Sequence, residues 1–272
     1  MQVGVFAKTF PGSDPAGVLA AVRDAGFAVT QFNLACAGLP SMPDAVPDAA
    51  IDAIDAAAKT SGIGLVALSG TYNMAHPDSR VRDDGLRRLA IIIETAAKLS
   101  IPLVTLCAGT RNPDDQWAHH PDNADPSAWA DMAREMEKAL QLAERHGVDL
   151  GIEPEQANIV TSADDAMRLI AEMGSKRLRI VLDPANLFER ADPEAARAIV
   201  AEAVERTAGH VTLAHAKDRF ADGRFATAGQ GVVNFADFIG RLKAVGFDGP
   251  LVTHGLSAEE APGVARFLGE LV

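Results

Sequence analysis

Aromatic side chains are scarce in this chain: they make up 5% of 272 residues, with one tyrosine (Tyr72) and two tryptophans (Trp117 and Trp129). A core with so few of them must be mostly Ala, Val, Leu and Ile, which suits helices packed on parallel strands. Basic residues are in the minority as well. Lys and Arg number 25 against 37 Asp and Glu, a net charge of −12. Phosphate binding draws on clustered Lys and Arg, so no nucleic-acid partner is expected. The one basic cluster, Arg80, Arg82, Arg87 and Arg88, is broken by Asp83 and Asp84 and reads as a solvated helix face. Two cysteines, Cys36 and Cys107, are too few for a disulfide framework and read as small buried hydrophobes. No apolar run approaches the roughly 18–20 residues that a bilayer requires. The opening Met-Gln-Val-Gly-Val-Phe lacks a basic stretch leading into an apolar one, so no secretory signal is expected. A cytoplasmic protein with no membrane partner is the expectation. G-x-G-x-x-G is missing after the first apolar run, which weighs against a doubly wound dinucleotide-binding sheet.

What the chain does have is alternation. Strand-like runs fall at Val3–Phe6, Ala28–Leu34, Leu65–Ser69, Leu103–Cys107, Val148–Ile152, Arg177–Leu182, His210–Ala214 and Leu251–Thr253. Helical patterns fall between and after them, at Asp14–Ala25, Pro47–Ser61, Ser79–Leu99, Ser127–Arg145, Ser162–Met173, Pro193–Ala208, Phe235–Val245 and Ala258–Leu271. In the third helix, Leu86, Leu89, Ile93, Ala96 and Ala97 form one apolar stripe. Strands alternating with helices imply parallel pairing, and eight such pairs imply closure. The expected fold is α/β, a single (β/α)8 TIM barrel filling residues 1–272 as one domain. The loops after strands three, four and seven are long, as they should be on a functional face.

Four strand ends carry the chemistry. Apolar runs terminate in Gly-Ile-Glu153-Pro-Glu155, Val-Leu-Asp183-Pro-Ala-Asn186, Leu-Ala-His215-Ala-Lys217-Asp218 and Leu-Val-Thr-His254-Gly. Glu153, Asp183, His215 and His254 are spaced by 30, 32 and 39 positions, about one strand-helix unit each. In a closed parallel barrel every strand end opens onto the same face. Two carboxylates and two imidazoles delivered there suit Mn²⁺, Mg²⁺, Co²⁺, Fe²⁺ or Zn²⁺. The residues do not choose among these; Mn²⁺ is taken as the first expectation. A single acid at a strand end can simply cap the next helix. Four at successive strand ends favour a metal site.

These strand ends, with their flanking motifs, resemble the xylose isomerase-like barrel superfamily. The branch is that of sugar-phosphate isomerases and epimerases, including inosose dehydratases and ketose 3-epimerases. The resemblance rests on Asn73-Met-Ala-His76-Pro-Asp78 and on Gly109-Thr-Arg111-Asn-Pro with Trp117 and His120-Pro-Asp-Asn123. It rests too on Glu153-Pro-Glu155 with Asn158, Asp183-Pro-Ala-Asn186, and His215-Ala-Lys217-Asp218-Arg219 with Gly229-Gln-Gly231. It covers nearly the whole chain and is weak on substrate. In the ketose epimerases of this superfamily the metal is held by Glu, Asp, His and Glu after strands five to eight. The resemblance therefore implies Glu153, Asp183 and His215 as ligands, and His254 stands where the last Glu would be. Those epimerases use their two glutamates as an acid/base pair on opposite faces of the substrate carbon. This chain keeps only the first.

Isomerisation, epimerisation and β-elimination of keto-sugars all begin with loss of a proton α to a carbonyl, taken by a positioned carboxylate beside a metal. Glu153 is the expected base and ligand, with His254 or Lys217 as the acid. Candidate substrate contacts are His76, Arg111, Trp117, His120, Asn186 and Arg219. Bland readings stand beside several. His119-His120 also reads as a solvated loop, Trp117 as a lid or packing residue, and Asn186 as a loop brace. The leading expectation is a metal-dependent isomerase or epimerase acting on a small-molecule sugar or cyclitol. A lyase or dehydratase acting on a keto-inositol or 3-keto-sugar is the alternative. An apurinic endonuclease would need many more histidines than seven and a basic groove. A non-catalytic sugar-binding barrel would bind without turnover. Homo-oligomer formation is left open.

Overall fold

The computed structural model describes residues 1–272. Eight parallel strands close into a barrel: β1 (Gln2–Phe6), β2 (Val29–Phe32), β3 (Gly64–Ser69), β4 (Leu103–Cys107), β5 (Asp149–Glu153), β6 (Leu178–Leu182), β7 (Val211–Ala216) and β10 (Pro250–Thr253). Between the last two lies a short antiparallel hairpin, β8 (Asp218–Arg219) with β9 (Phe225–Ala226). One helix follows each barrel strand: α1 (Pro15–Asp24), α2 (Asp48–Ser61), α3 (Ser79–Lys98), α4 (Pro126–His146), α5 (Ala163–Met173), α6 (Pro193–Arg206), α7 (Phe235–Ala244) and α8 (Ala261–Gly269). This is the (β/α)8 TIM barrel that the alternation predicts. None of its helices is long and apolar enough to cross a membrane.

Sequence punctuation sets the helix ends. Asp14, Asp78, Asp125, Ser162, Asp192 and Asn234 each accept a hydrogen bond from a backbone N–H of the first turn. Proline opens α1, α4 and α6, where its missing N–H costs nothing. Gly62, Gly147 and Gly174 close α2, α4 and α5 in the left-handed conformation.

Two apolar regions result. The large one, 64 buried residues, lies between the helices and the outer face of the barrel. The small one, Ala67, Leu103, Val181, Leu213 and Val252, fills the barrel interior. Because side chains alternate along a strand, the residue two positions on also points inward. Those residues are Ser69, Thr105, Asp183, His215 and His254. Gly151 obeys the same register: a Cβ there would sit 2.7 Å from Val181 and 3.1 Å from Leu103, so Glu153 faces inward two positions later. An apolar plug thus supports a polar layer at the C-terminal mouth.

Some boundaries differ from the sequence reading. β7 runs on to Ala216, which puts His215 within the strand. β2 stops at Phe32 because the Asn33 side chain caps a 3-10 turn over Leu34–Ala37. The hairpin lies in what reads as a glycine-rich loop, since strands of two residues carry no periodicity. Arg82 departs from the solvated basic face: it is largely buried, donates to the His76 carbonyl and lies 3.6 Å from Asp131. Cys36 and Cys107 are buried, and burial pushes their thiols up to about 11 and about 12.

Candidate metal centre and active site

One ligand atom from each of Glu153, Asp183, His215 and His254 lies within 4.8 Å of all the others. Glu153, His215 and His254 line a cavity of about 510 Å³ at the barrel mouth, and Asp183 is buried behind them. His254 Nε2 is 3.0 Å from Asp183 Oδ2, and His215 Nδ1 is 3.3 Å from Glu153 Oε1 and 3.7 Å from Asp183 Oδ2. The imidazoles pack edge to face, 4.5 Å between centroids. The two carboxylates differ in access. Asp183's side chain is 0% exposed, while Glu153's keeps 18%.

Gln31 fixes the His215 ring. Its Nε2 donates to Ser69 Oγ and Thr105 Oγ1, which leaves Oε1 to accept from His215 Nε2 at 2.9 Å. The nitrogen that then faces the two carboxylates is Nδ1. A neutral ring in that tautomer sets a lone pair against two anionic oxygens, and this is how metal-binding histidines are oriented from behind. A proton on Nδ1 relieves the conflict for His215 alone; a divalent cation satisfies all four side chains at once. The donor set of two oxygens and two nitrogens therefore fits a divalent cation.

Charge is tuned throughout the cluster. Burial opposes ionisation of Asp183, but the Lys217 ammonium 3.6 Å away and the His254 hydrogen bond hold its carboxyl well below the usual range. For Glu153, burial is likewise outweighed by His215, so its carboxyl is lowered. Burial disfavours the charged form of His215, yet Glu153 opposite more than offsets this and raises it. Burial and the neighbouring His215 push His254 down, towards a neutral ring at pH 7. Glu155, on the cavity wall, is pushed up to about 7 by burial and by the charge of Glu153.

Residues 19–268 match the model of the xylose isomerase-like TIM barrel. The chain belongs to this family. No curated protein matches it in sequence. The solved structures of similar fold include 3-keto-D-glucoside 4-epimerase from E. coli, at 18% identity and a TM-score of 0.78 over 99% of each chain. L-ribulose 3-epimerase aligns at 20% identity and 0.77, over 99% of this chain and 93% of that one. D-psicose 3-epimerase from Clostridium cellulolyticum H10, solved with D-tagatose, aligns at 15% and 0.76, over 100% and 99%. Identities this low establish the fold.

Of the residues singled out from the sequence of this xylose isomerase-like barrel, Lys217, Asn186 and Trp117 line the cavity together with Glu153, His215 and His254. Asn186 Nδ2 donates to Glu153 Oε1 at 2.7 Å, while its Oδ1 is buried without a partner. Four expected substrate contacts are placed elsewhere. Arg111 is 9% exposed; it donates to the Ala75 carbonyl and Ser127 Oγ and pairs with Asp131 at 2.8 Å, tying two loops to α4. His120 Nδ1 accepts from the Asp122 N–H and caps a 3-10 turn. Arg219 donates to the carbonyls of Ala185, Glu189 and Gly223 and stacks on Phe225. His76 bridges Asp78 and the Pro113 carbonyl and lines a neighbouring cavity. In each case neighbouring backbone groups take up at least part of the side chain's hydrogen-bonding capacity.

The structure adds residues that the motifs did not single out. Gln31, Lys8, Asn33 and Phe225 line the cavity, and Phe225 packs 4.1 Å from the Lys217 ammonium. Gln31 and Asn33 sit at the end of the second apolar run, and that strand position was the available signal. Asp218 turns out to be a brace: its carboxylate accepts from the N–H groups of Arg219, Gly229, Gly231 and Val233. A Cβ on Gly231 would come within 2.3 Å of Asp218 Oδ1, so only glycine fits there.

Proposed function

We propose that this chain, acting as one domain, is a metal-dependent isomerase or epimerase that removes a proton α to the carbonyl of a sugar or sugar derivative. The observation that carries the reading is the asymmetry of the buried cluster. Four ligand atoms converge within 4.8 Å, and of the two carboxylates only Glu153 keeps access to the cavity. The related barrels carry names that fit: epimerases of a 3-keto-glucoside at C4 and of ribulose and psicose at C3, each carbon beside a carbonyl.

Glu153, Asp183, His215 and His254 would hold the cation. When bound, it supplies positive charge beside the substrate carbonyl and so acidifies the adjacent C–H. Glu153 takes the proton, its carboxylate held in orientation by Asn186 Nδ2. Asp183 stays ionised and buried, and it anchors Lys217, whose ammonium group faces the same cavity. Lys217 hydrogen-bonds the substrate oxygen that gains charge and returns a proton; His254 could do so only from its protonated form, which its buried position disfavours. Asn186 Oδ1 accepts from a substrate hydroxyl.

A second reading has one specific support. Where ketose epimerases carry a second glutamate, this chain has His254, hydrogen-bonded to Asp183. Elimination of water from a keto-inositol or 3-keto-sugar needs one base and an acid at the leaving hydroxyl, not a carboxylate on each face. Metal analysis of the purified protein, with NMR of keto-sugars and inososes in D₂O, separates the readings. Deuterium entering the α-carbon with an isomer or epimer as product supports the first, and loss of water supports the second. Binding without exchange by any substrate, or exchange undiminished after complete chelation, would refute the proposal.

A further inference from the structure

A second cavity, of about 600 Å³, opens beside the first at the barrel mouth, between the loops after β3 and β4 and the first turns of α3. Thr71, Gln116 and Trp117 line both, so one wall is common to the two. Each space is of the size that houses a whole small molecule. A monosaccharide held at Glu153 lies within the first and leaves the second empty.

The lining of the second cavity has a chemical character. Val81 and Trp117, at 45% and 50% exposure, are two of the five large hydrophobic side chains left exposed on the molecule, and both face this space. Scattered exposed hydrophobes are ordinary; two in one polar cavity form a platform for an aliphatic C–H face. Around them stand Asp84, Asp114 and Asp115 against the single cation Arg88. Arg88 is already paired, at 2.8 Å to Asp84 and 3.2 Å to Asp44. An acidic lining whose cation is neutralised repels phosphate, while carboxylates and amides accept hydroxyl protons.

We propose that this second cavity is a subsite for a neutral glycosyl or polyol substituent, so that the substrate is a glycoside rather than a free or phosphorylated monosaccharide. The inference rests on the keto-sugar reading of the first cavity. A substituent leaving the reacting ring crosses the wall formed by Thr71 and Trp117, and its apolar face stacks on Trp117 and Val81.

The test uses the metal-loaded protein and its Val81→Trp variant, which projects a bulky ring into the second cavity from the exposed side of α3 and narrows it without touching the ligand cluster. Calorimetric titration compares matched 3-keto- and 2-keto-sugars as monosaccharide, disaccharide and 6-phosphate, and solvent-deuterium exchange is read alongside. The wild type should bind one disaccharide about tenfold or more tighter than its monosaccharide, a preference that Val81→Trp removes. Should that variant fail to fold, Asp114→Ala on the exposed loop should reduce the same preference. Equal affinities, a tighter phosphate, a preference indifferent to both variants, or no binding by any disaccharide overturns the subsite. Preference without exchange upholds the subsite and refutes the proposed reaction. Exchange without preference does the reverse.

Discussion

Glu153 and Asp183 carry the same charge and stand on adjacent strands, yet packing gives them different work. Asp183 is sealed beneath Lys217 and His254, which suits a ligand whose charge never changes. Glu153 retains an open edge and a single orienting amide, which suits a base. Glu153→Gln keeps the shape and removes the basicity. It should lower α-proton exchange by roughly 10²–10⁴-fold, the usual worth of a positioned base, with the fold unchanged by circular dichroism. Exchange at the wild-type rate would move the base elsewhere, and Lys217 is the next residue on the wall. Gln31 acts one step further back. Gln31→Leu frees the His215 ring, and metal affinity measured by competition should fall about 10–100-fold. Unchanged affinity would mean that packing alone orients the imidazole.

At the scale of elements, the loop after β7 is organised by one carboxylate. Asp218 is fully buried and gathers four backbone N–H groups, one from Arg219 in the hairpin and three from the segment that follows it. Asp218→Ala strands those donors, and leaving buried donors unpaired costs about 1–3 kcal/mol. The urea midpoint should shift down accordingly, and Phe225 and Lys217, carried on or beside this hairpin, should lose their order. A midpoint equal to wild type would show that water replaces the carboxylate. The same contrast between strands and loops explains what was legible in the sequence. Strand ends could be read because alternation is a local property: Val181 inward makes Asp183 inward, and Leu213 makes His215 inward. Loop side chains could not. Nothing near Arg111 in the chain says that its guanidinium turns to the Ala75 carbonyl, 36 positions away, or that Arg219 turns to Ala185, 34 away. Gln31 escaped notice for a related reason: its partner His215 lies 184 positions further on.

The whole molecule separates stability from chemistry. Sixty-four buried residues between the helices and the outer face of the barrel hold the fold, and the polar layer rests on a plug of five. The site therefore contributes little to the core, and the metal-free protein should remain folded. A cation that binds only the native state adds stability by mass action, about 2.7 kcal/mol at a hundredfold excess over its dissociation constant. For a chain of this size that is a rise in Tm of roughly 5–10 °C. Titrating the chelated protein with Mn²⁺, Mg²⁺, Co²⁺, Fe²⁺ and Zn²⁺ in turn should give that rise for at least one. Asp183→Asn should abolish it, because a neutral amide replaces the most deeply buried anionic ligand while the aliphatic core is untouched. The metal-free variant should still melt cooperatively, and it bears less buried charge than the wild type. If none of the five ions moves the wild-type Tm, the buried carboxylates and imidazoles are a closed ion-pair network. Glu153 would then have no cation beside it, and the proposed proton abstraction would fall with the metal.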